Sequence, residues 1–523
     1  MPRLLLRLLA GVHLVAFVSL WVQIDGLIGS RGILPAEDFF AYLERILGAG
    51  ALERFVNAPS LLWFGAGDTA LHVLCAVGVL LSLLAIAGMA TAPVFGALWI
   101  CYLSLVWGGQ TFLAFQWDTL LLEATLCSVV LAPLGWPFRG PTGDRAGAER
   151  RPLTAAIRAA FRVAPNPASA RPGVWLFRSL VVKLMFLSGA VKLLSLDPTW
   201  WRLTALDVHY FTQPLPVAAS WYVHHLPDWF HRLSVLAMFG VELVVPWLVF
   251  SRRLRQSGMW LLLALQFLIA ATGNYGFFNL LTAVLCLSWL DGPLLPGTAK
   301  RSDIAATRPT GASGFTAAAT TRLRWVVTTT ILLLSLSVTA RELTRSLPRG
   351  PDTPPPAVRV ADVVERVLVD PAAPVLRAIA PFRSINGYGL FRAMTTSRPE
   401  IVVETSVDGV TWSELEFRFK PGDLDRSPRA AFPHMPRLDW QMWFAALDPA
   451  RAEWLGPFVE RLFEGEPAVR GLLGEAARQA EPPRYVRLRL YDYTFSEPGA
   501  GAAWWRRGFL YDLSAGVLRQ RVD

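Results

Sequence analysis

The first two thirds of the chain consist of long apolar runs separated by short polar segments. Each run is about 20 residues long and almost free of charge, which is the length that a helix needs to cross a bilayer. Such helices satisfy their backbone hydrogen bonds internally, so hydropathy locates them well. The pattern predicts a polytopic α-helical membrane bundle with about nine spans. These cover residues 4–24, 68–88, 92–113, 117–135, 174–195, 233–250, 257–273, 275–290 and 325–341.

After about residue 380, apolar and polar positions begin to alternate. Residues 400–420 form two alternating runs joined at Asp408–Gly409, which is a strong hairpin signal. Residues 484–495 alternate as cleanly, whereas residues 440–464 are predicted to be helical with aromatic residues on one face. We therefore expect a soluble, mostly β domain with a β-sandwich-like α+β fold.

Two further segments are predicted to lack regular structure. Residues 348–356 read PRGPDTPPP, a composition that favours an extended backbone over a helix. Residues 305–321 are of low complexity and are predicted to be a disordered loop. The predicted domains are therefore a transmembrane domain at 1–343, a Pro-rich linker at 344–379 and the soluble domain at 380–523.

The distribution of basic residues predicts how the bundle is oriented. The chain carries a net charge of +10, and among the loops between the predicted spans Lys and Arg concentrate in the segments 136–173, 251–256 and 291–324. Because short cytoplasmic loops are rich in Lys and Arg, these segments and the N-terminus are placed in the cytoplasm. An odd number of spans then puts the soluble domain on the extracytoplasmic side. The positive charge is thus a topology signal, and no nucleic acid partner is expected.

The first apolar run continues to Trp21 without a small-residue cleavage site, so we expect a retained anchor rather than a cleaved signal peptide. All four cysteines lie in apolar runs, which argues against a disulfide framework. His224 and His225 are adjacent and point apart on a helix, so zinc-ligand spacing is not met. We expect no metal and no cofactor; a composite site that includes His209 is the alternative.

Several charged residues fall inside predicted spans, where a charge is costly unless it is paired or faces a polar cavity. Arg178 and Lys192 lie close enough to span ends for their side chains to reach the interface. Lys183 is deeper and is expected to pair with Glu123 or Glu242. A structural ion pair is the favoured interpretation, and proton handling by a buried carboxylate or lysine is the alternative.

The distinctive motifs of the transmembrane part all fall on the predicted outer face. They are the FQWD sequence at 115–118, the aromatic and His-rich stretch 204–232, and the GNYGFFN sequence at 273–279. Anchoring at the membrane surface and helix capping are the simplest roles for such residues. The candidate outer-face residues are Gln116, Trp117, Asp118, Asp207, His209, Tyr210, Gln213, Pro214, Trp221, His224, His225, Asn274 and Tyr275.

On these motifs the chain resembles the lipase maturation factor family. The similarity extends through the soluble domain and covers most of residues 100–510. The strings that carry it are Phe115–Asp118, Leu203–Pro216, Ser220–Pro227, Gly273–Asn279, Asn386–Thr395, Glu400–Lys420, Asp439–Leu447 and Arg484–Tyr493.

The resemblance implies a multi-pass membrane protein whose outer domain helps secreted homodimeric lipases to reach their active form. In eukaryotic members this takes place in the endoplasmic reticulum membrane. The implied partners are secreted client proteins and the lipid bilayer. The implied client-binding residues are Asn386, Tyr388, Phe391, Arg392, Asp439, Trp440, Gln441 and Trp443.

Two features depart from the animal members of that family. The composition, rich in Ala, Arg, Leu and Pro, is typical of a high-GC bacterium, where the corresponding location is the cell membrane. The predicted outer domain contains no cysteine, so its own residues cannot perform thiol exchange.

We expect no enzymatic activity, because the sequence contains no nucleophile elbow, P-loop or dinucleotide fingerprint. The alternative is an intramembrane enzyme that acts on a lipid or quinone at the outer leaflet, around Glu123, Lys183 and the histidines. A polar cavity that joins Glu123 and Lys183 to His209 would favour this alternative. A dry, direct contact between Glu123 and Lys183 would count against it.

Overall fold

A computed structural model describes residues 2–48, 50–134, 167–291, 312–350, 353–499, 501–514 and 518–519. The first part of the chain is helical. Its α-helices are α1 Pro2–Trp21, α2 Ile24–Ile28, α3 Ala36–Leu47, α4 Ala51–Asn57, α5 Asp68–Ala87, α6 Ala92–Gly108, α7 Gln116–Leu131, α8 Pro167–Leu194, α9 Pro198–Trp201, α10 Ala205–Thr212, α11 Ala218–His224, α12 Asp228–Phe239, α13 Arg255–Thr272, α14 Phe277–Cys286 and α15 Ala312–Ser346.

Five helical stretches are long and apolar enough to cross a membrane: Pro2–Trp21, Asp68–Ala87, Ser169–Leu194, Asp228–Phe250 and Ala318–Ser346. The other four predicted spans fall on α6, α7, α13 and α14, which are shorter or less apolar. The helical membrane-type region is therefore confirmed, while the total of nine spans stays a prediction. Most of the basic segment 136–173 lies outside the described residues, as does the part of 291–324 before residue 312.

The helices pack α1 on α5, α6 on α7 and α8 on α15. At one end of the bundle, Asp291 accepts from Arg178 at 2.7 Å and also pairs with Arg255. Arg178 is predicted to reach the interface, and its buried guanidinium binds this carboxylate, whose side chain is 49% exposed. At the other end of α8, Ser195 Oγ donates to the Arg392 carbonyl at 2.8 Å. The C-terminal region, residues 380–523, thus covers the end of the bundle opposite Asp291.

The C-terminal region contains one antiparallel sheet. Its strands are β1 Pro399–Ser406, β2 Ser413–Glu414, β3 Tyr485–Phe495, β4 Trp505–Asp512 and β5 Leu518–Arg519. The order is β2-β1-β3-β4, and β5 also pairs with β3. Val403 lies opposite Leu488, and Phe495 lies opposite Trp505. The described residues thus form a single small sheet, and a second sheet that would complete a sandwich stays a prediction.

The hairpin expected at Asp408–Gly409 is confirmed by the β1–β2 pairing. Asp408 accepts from the backbone amides of Val410 and Thr411, and Gly409 takes the positive φ of 77° that the turn requires. The second strand is shorter than the alternating pattern predicts, because only two residues pair.

Three predictions about regular structure were wrong in part. The predicted helix 440–464 is two helices, α18 Arg437–Leu447 and α19 Leu455–Phe463, because Pro449 interrupts the first. Much of the predicted linker is helical, in α16 Pro355–Val364 and α17 Ala373–Ile379, since each helix accommodates its prolines in the first turn. Residues 312–321 of the predicted disordered loop belong to α15, and the remainder lies outside the described residues. Two short helices, α20 Pro467–Arg470 and α21 Glu475–Gln479, precede β3.

The close packing of α1 on α5 generates a test. A Cβ added at Gly78 would overlap the buried ring of Phe17, whereas a Cβ at Gly11 meets nothing within 4 Å. We expect Gly78→Ala to lower the free energy of unfolding by about 1–3 kcal/mol through overpacking. Gly11→Ala is the matched control and should be neutral or stabilising. Thermal unfolding of the purified full-length protein in detergent measures both variants; equal melting temperatures would contradict the packing.

Candidate functional site

The C-terminal region packs directly on the ends of the bundle helices opposite Asp291. We call this contact surface the junction. Asn274 illustrates how it is built: its side chain donates to the Arg429 carbonyl at 2.7 Å and accepts from the Ala431 amide at 2.7 Å. Gln116 accepts from the Gly389 amide, and Trp221 donates to the Ser496 carbonyl at 3.1 Å. The outer-face motifs, which are far apart in sequence, therefore meet at the junction.

A buried ion pair lies at the centre of the junction. Arg437, the first residue of α18, makes a bidentate contact with Asp118 at 2.8 and 2.9 Å and donates to the Phe112 carbonyl. Tyr102 donates to the same carboxylate at 2.5 Å. Burial lowers the pKa of the Arg437 guanidinium, but the Asp118 charge and its hydrogen bonds outweigh burial, so the pKa is raised. The Arg437 guanidinium therefore stays charged, and its desolvated charge depends on the Asp118 carboxylate.

Aromatic side chains surround this ion pair. Trp440 of α18 meets Trp117 of α7 edge to face, with ring centroids 4.8 Å apart, and Phe115 stacks on Trp117 at 4.3 Å. Tyr275, which belongs to the third outer-face motif, also contacts Trp440, with ring centroids 5.9 Å apart. Such pairs contribute beyond their buried area. The cluster excludes water from the Arg437–Asp118 contact.

Two other side chains of α18 bind backbone carbonyls of the helical region. Gln441 donates to the Thr111 carbonyl at 2.6 Å, and Trp443 donates to the Thr212 carbonyl at 2.9 Å. Asp439 faces the C-terminal region itself and accepts from the amides of Phe419 and Lys420. Burial raises the pKa of Asp439, against the effect of these hydrogen bonds.

Arg398 holds the Pro-rich loop after α10. This side chain is completely buried and donates to the carbonyls of Phe211, Gln213 and Pro214. It also pairs with Glu400 at 2.7 Å, and Glu400 lies 3.0 Å from the Lys420 amine. Arg398 is not among the residues predicted from the sequence. The sequence signal that could have indicated such a donor is the pair of prolines at 214 and 216. They prevent a helix there, so the backbone carbonyls of this loop need donors from elsewhere.

The intramembrane carboxylate of Glu123 is bound from both regions. Lys183 of α8 forms a direct ion pair with it. From the C-terminal region, the Tyr388 hydroxyl donates to Glu123 Oε2 at 2.6 Å, and the backbone N–H of Asn386 donates to the same oxygen at 3.1 Å. These contacts are direct, and the side chains of Glu123, Lys183 and Tyr388 are buried. This direct pairing counts against the intramembrane enzyme.

A second intramembrane pair joins Lys192 to Glu242, with Lys192 Nζ 2.7 and 2.9 Å from the two carboxylate oxygens. Lys192 was expected to reach the interface and instead has a carboxylate partner inside the bundle. Glu242 lies in the π-helical turn Gly240–Val244, which precedes Pro246. Because a proline removes a backbone donor and crowds the preceding turn, Pro246 explains this widened turn.

The histidines of the outer stretch are bound to their neighbours. His231 contacts Asp207 at 3.0 Å and the Val223 carbonyl at 3.0 Å, while His225 contacts the Trp221 carbonyl at 2.7 Å. Within the described ranges, no three His, Cys, Asp or Glu side chains cluster as metal ligands would.

Burial lowers the pKa of both His209 and His224 to about 4, so both imidazoles are neutral near pH 7. The His224 ring packs against Phe211 and Phe495. The His209 ring packs edge to face on Phe391, with centroids 4.9 Å apart. These rings therefore serve as packing groups of the junction.

The residues assigned to client binding lie in or beside the junction. Tyr388, Asp439, Trp440, Gln441 and Trp443 are buried, and the other three are part-buried: Asn386, Phe391 and Arg392. Arg392 contacts Glu342 of α15 at 3.3 Å. Direct client contact by this set stays a prediction, since in this structure the side chains pack on the bundle.

Comparison with known proteins finds two family models that together cover most of the chain. The model described as the lipase maturation factor transmembrane domain matches residues 1–296, and that of the lipase maturation factor C-terminal domain matches residues 384–515. No solved structure matches. Both models fit the observed division into an apolar helical region and a region with a small sheet. The chain is therefore an integral membrane protein.

Similar proteins carry the same family name. Lipase maturation factor 2 of Homo sapiens is 37% identical over 605 residues, covering 99% of this chain and 82% of the relative. Lipase maturation factor 2 of Xenopus laevis is 35% identical, with 98% and 81% covered. Lipase maturation factor 1 of Bos taurus is 30% identical, with 96% and 86% covered.

The central ion pair of the junction generates the second test. Arg437→Met leaves the buried Asp118 carboxylate without its partner, which typically costs about 3–5 kcal/mol. Arg506→Met is the control, because Arg506 and Glu497 are both exposed and such pairs contribute about 0–1 kcal/mol. We expect a lower melting temperature and faster proteolysis of the C-terminal region in Arg437→Met alone. Asp118→Leu combined with Arg437→Met should recover part of the loss. Equal behaviour of the two single variants would contradict a structural role for the pair.

Proposed function

The chain belongs to the lipase maturation factor family, and we propose that it is a membrane-bound factor that assists secreted lipases to reach their active form. The observation that carries this proposal is the similarity to named maturation factors along nearly the whole chain. It includes both the transmembrane part and the C-terminal region. The proposed action therefore requires both regions together.

We propose that assistance is non-covalent. The four cysteines Cys75, Cys101, Cys127 and Cys286 are buried within the apolar helices. None lies in the C-terminal region, so this region has no thiol with which to reshuffle a client's disulfides. A factor of this kind acts by holding apolar client surface until the client buries it.

We propose that the client docks on strand β4. Within the described part of the chain, β4 is the last strand of its sheet on one side. Its residues Phe509, Leu510 and Tyr511 are 51%, 48% and 50% exposed. An unpaired edge strand binds an extended peptide by main-chain hydrogen bonds, and neighbouring side chains supply specificity. The proposed occupant is an extended, apolar segment of an incompletely folded lipase. The buried residues of α18 then act indirectly, by fixing this edge relative to the membrane.

We propose nine spans, a cytoplasmic N-terminus and an extracytoplasmic C-terminal region. The basic segments between the predicted spans support this orientation. So does the position of the junction, which lies at the end of the bundle opposite the Arg178–Asp291 contact. In a eukaryotic cell the outer compartment would be the lumen of the endoplasmic reticulum. In a bacterium it would be the space outside the cell membrane.

The proposed function is tested in cells that lack the gene, by comparing secreted lipase mass with lipase activity in the same medium. We expect the activity per lipase molecule to fall severalfold while the secreted amount falls less. The intact gene should restore activity. Phe509→Ser combined with Tyr511→Ser should not restore it, although the protein reaches normal levels, because the docking edge loses its apolar side chains.

The matched control for this experiment is Val407→Ser combined with Val410→Ser. These residues are exposed at the hairpin next to β2, on the opposite edge of the sheet. The control should restore activity fully. Unchanged lipase activity per molecule in the gene-deficient cells would refute the maturation role, whereas rescue by both double variants would refute docking on β4 only.

The proposed orientation is tested with a membrane-impermeant maleimide on intact cells, or on sealed vesicles of known sidedness. The four natural cysteines are buried and should react little. Val410→Cys, in the C-terminal region, should be labelled from the extracytoplasmic side. Arg253→Cys, in an exposed turn between predicted spans, should be labelled only after the membrane is permeabilised. The reverse pattern would overturn the orientation.

A further inference from the structure

A cavity of about 270 Å³ lies between the bundle helices beside the junction. Its walls come from α8, α12, α13 and α14, and most of the lining is apolar. Phe391 of the C-terminal region covers it near α10. Leu268 of α13 lines the cavity and is 60% exposed, so the cavity reaches the outer surface of the bundle. That surface is apolar, and in a membrane it faces the hydrocarbon of the bilayer.

Two buried polar atoms of the lining have no hydrogen-bond partner among the described residues. Asn279 is buried and donates to Gln266 Oε1 at 3.0 Å, but its own Oδ1 accepts nothing. His209 Nδ1 is likewise without a partner. Buried polar atoms are almost always satisfied, so each such atom requires an explanation. A bound molecule in this cavity would supply the missing partners.

The neighbours of His209 fix which kind of atom is missing. Tyr275 donates its hydroxyl to Gln213 Oε1 at 3.1 Å, so this proton is not available to His209. His209 Nε2 lies 3.5 Å from the same hydroxyl oxygen and therefore carries the proton that points toward it. In a neutral imidazole the other nitrogen, Nδ1, is then an acceptor. Both unpartnered atoms, Asn279 Oδ1 and His209 Nδ1, require hydrogen-bond donors from the ligand.

The charges in the lining exclude an anionic headgroup. Lys192 is the cation of the described lining, and both oxygens of Glu242 already bind it. The volume of about 270 Å³ lies just below the roughly 300–1,000 Å³ of sites for drug-sized ligands, so it excludes a two-chain phospholipid.

We propose that this cavity binds a neutral, single-chain lipid with a hydroxyl-bearing headgroup, of which a monoacylglycerol is the simplest example. The lipid enters from the outer leaflet past Leu268. Its chain lies along the apolar wall that includes Met185 and Met238, and its hydroxyls donate to Asn279 Oδ1 and His209 Nδ1. This proposal does not depend on the identity of the client.

The position of the cavity gives binding a structural consequence. Phe391 has a positive φ of 55°, which is an unfavourable conformation for a residue with a side chain. Its carbonyl accepts from Trp200 at 3.1 Å, and its ring rests on His209. A lipid beneath this ring fills the space against which the C-terminal region packs. Because a ligand that binds only the folded state stabilises that state, occupancy strengthens the junction.

The test uses the purified full-length protein in detergent with 1-oleoylglycerol as the probe. Two analogues have the same hydrocarbon chain. Oleic acid has an anionic headgroup, and methyl oleate has a headgroup without a hydroxyl donor. We expect 1-oleoylglycerol to raise the melting temperature and to give a one-to-one complex in native mass spectrometry, with weaker binding of both analogues. No complex, or equal binding of methyl oleate, would overturn the proposal. Preferential binding of oleic acid or of a two-chain phospholipid would overturn it as well.

Variants then locate the site. Asn279→Leu should weaken 1-oleoylglycerol binding about tenfold, the size expected for one lost hydrogen bond to a buried acceptor, and should leave methyl oleate unaffected. Met238→Trp should prevent binding of all three lipids by filling the cavity. The control is Leu333→Trp, a change at an exposed apolar position of α15 outside the cavity, and it should bind as the unaltered protein does. Undiminished binding by Asn279→Leu with normal folding would refute the assigned headgroup contact, and equal loss in Leu333→Trp would refute the location.

Discussion

The junction depends on one interaction: the buried charge of Arg437 in the C-terminal region is paired with the Asp118 carboxylate of the bundle. Asp118 belongs to α7 and its guanidinium partner Arg437 belongs to α18. Glu123 is paired within the bundle by Lys183, yet its second oxygen is occupied by Tyr388 and the Asn386 amide. Separating the two regions would take Asp118 and Arg437 away from each other and Glu123 away from two of its hydrogen-bond donors, and it would expose the aromatic rings that pack between the regions. The two regions are therefore expected to be stable only together.

Polar contacts of this kind fix orientation more strictly than apolar contacts do. An apolar interface tolerates small shifts, whereas a bidentate guanidinium–carboxylate contact is satisfied in only one arrangement. Arg398 adds a second fixed point, because three carbonyls of one loop converge on its guanidinium. Two fixed points at separate places prevent the sheet from sliding or rotating on the bundle. The exposed edge of β4 is thereby held at a constant position relative to the membrane.

Much of the fold was predictable because hydrophobic periodicity reports local structure. The apolar runs located the helices, and the alternation at 484–495 located β3 nearly to the residue. The failures occurred where prolines decide the boundaries of helices. α18 ends at Leu447, two residues before Pro449, and the aromatic spacing of 440–464 does not record this break. Prolines 355 and 356 looked like linker, although at the first turn of a helix they are compatible with it.

The candidate site was predictable in its members and not in its geometry. Trp440 and Tyr388 were identified because they stand in distinctive strings, but a single string does not reveal whether an aromatic side chain is covered by a client or by the same chain. Both surfaces select large rings with a polar edge. Arg398 escaped notice for the opposite reason: its surroundings are ordinary in sequence, and its role arises entirely from carbonyls nearly two hundred positions away.

An exposed apolar edge strand is a liability for any protein, because it invites pairing with other unfolded chains. Natural sheets usually cover such an edge or place charges on it. In β4, charges occur at Arg506 and Arg507, whereas the following residues Phe509, Leu510 and Tyr511 remain apolar and open. Fixing the edge above a membrane reduces the liability, since the bundle restricts how two copies can approach. The junction thus permits an exposed apolar edge that would carry a greater risk of aggregation on a freely diffusing protein.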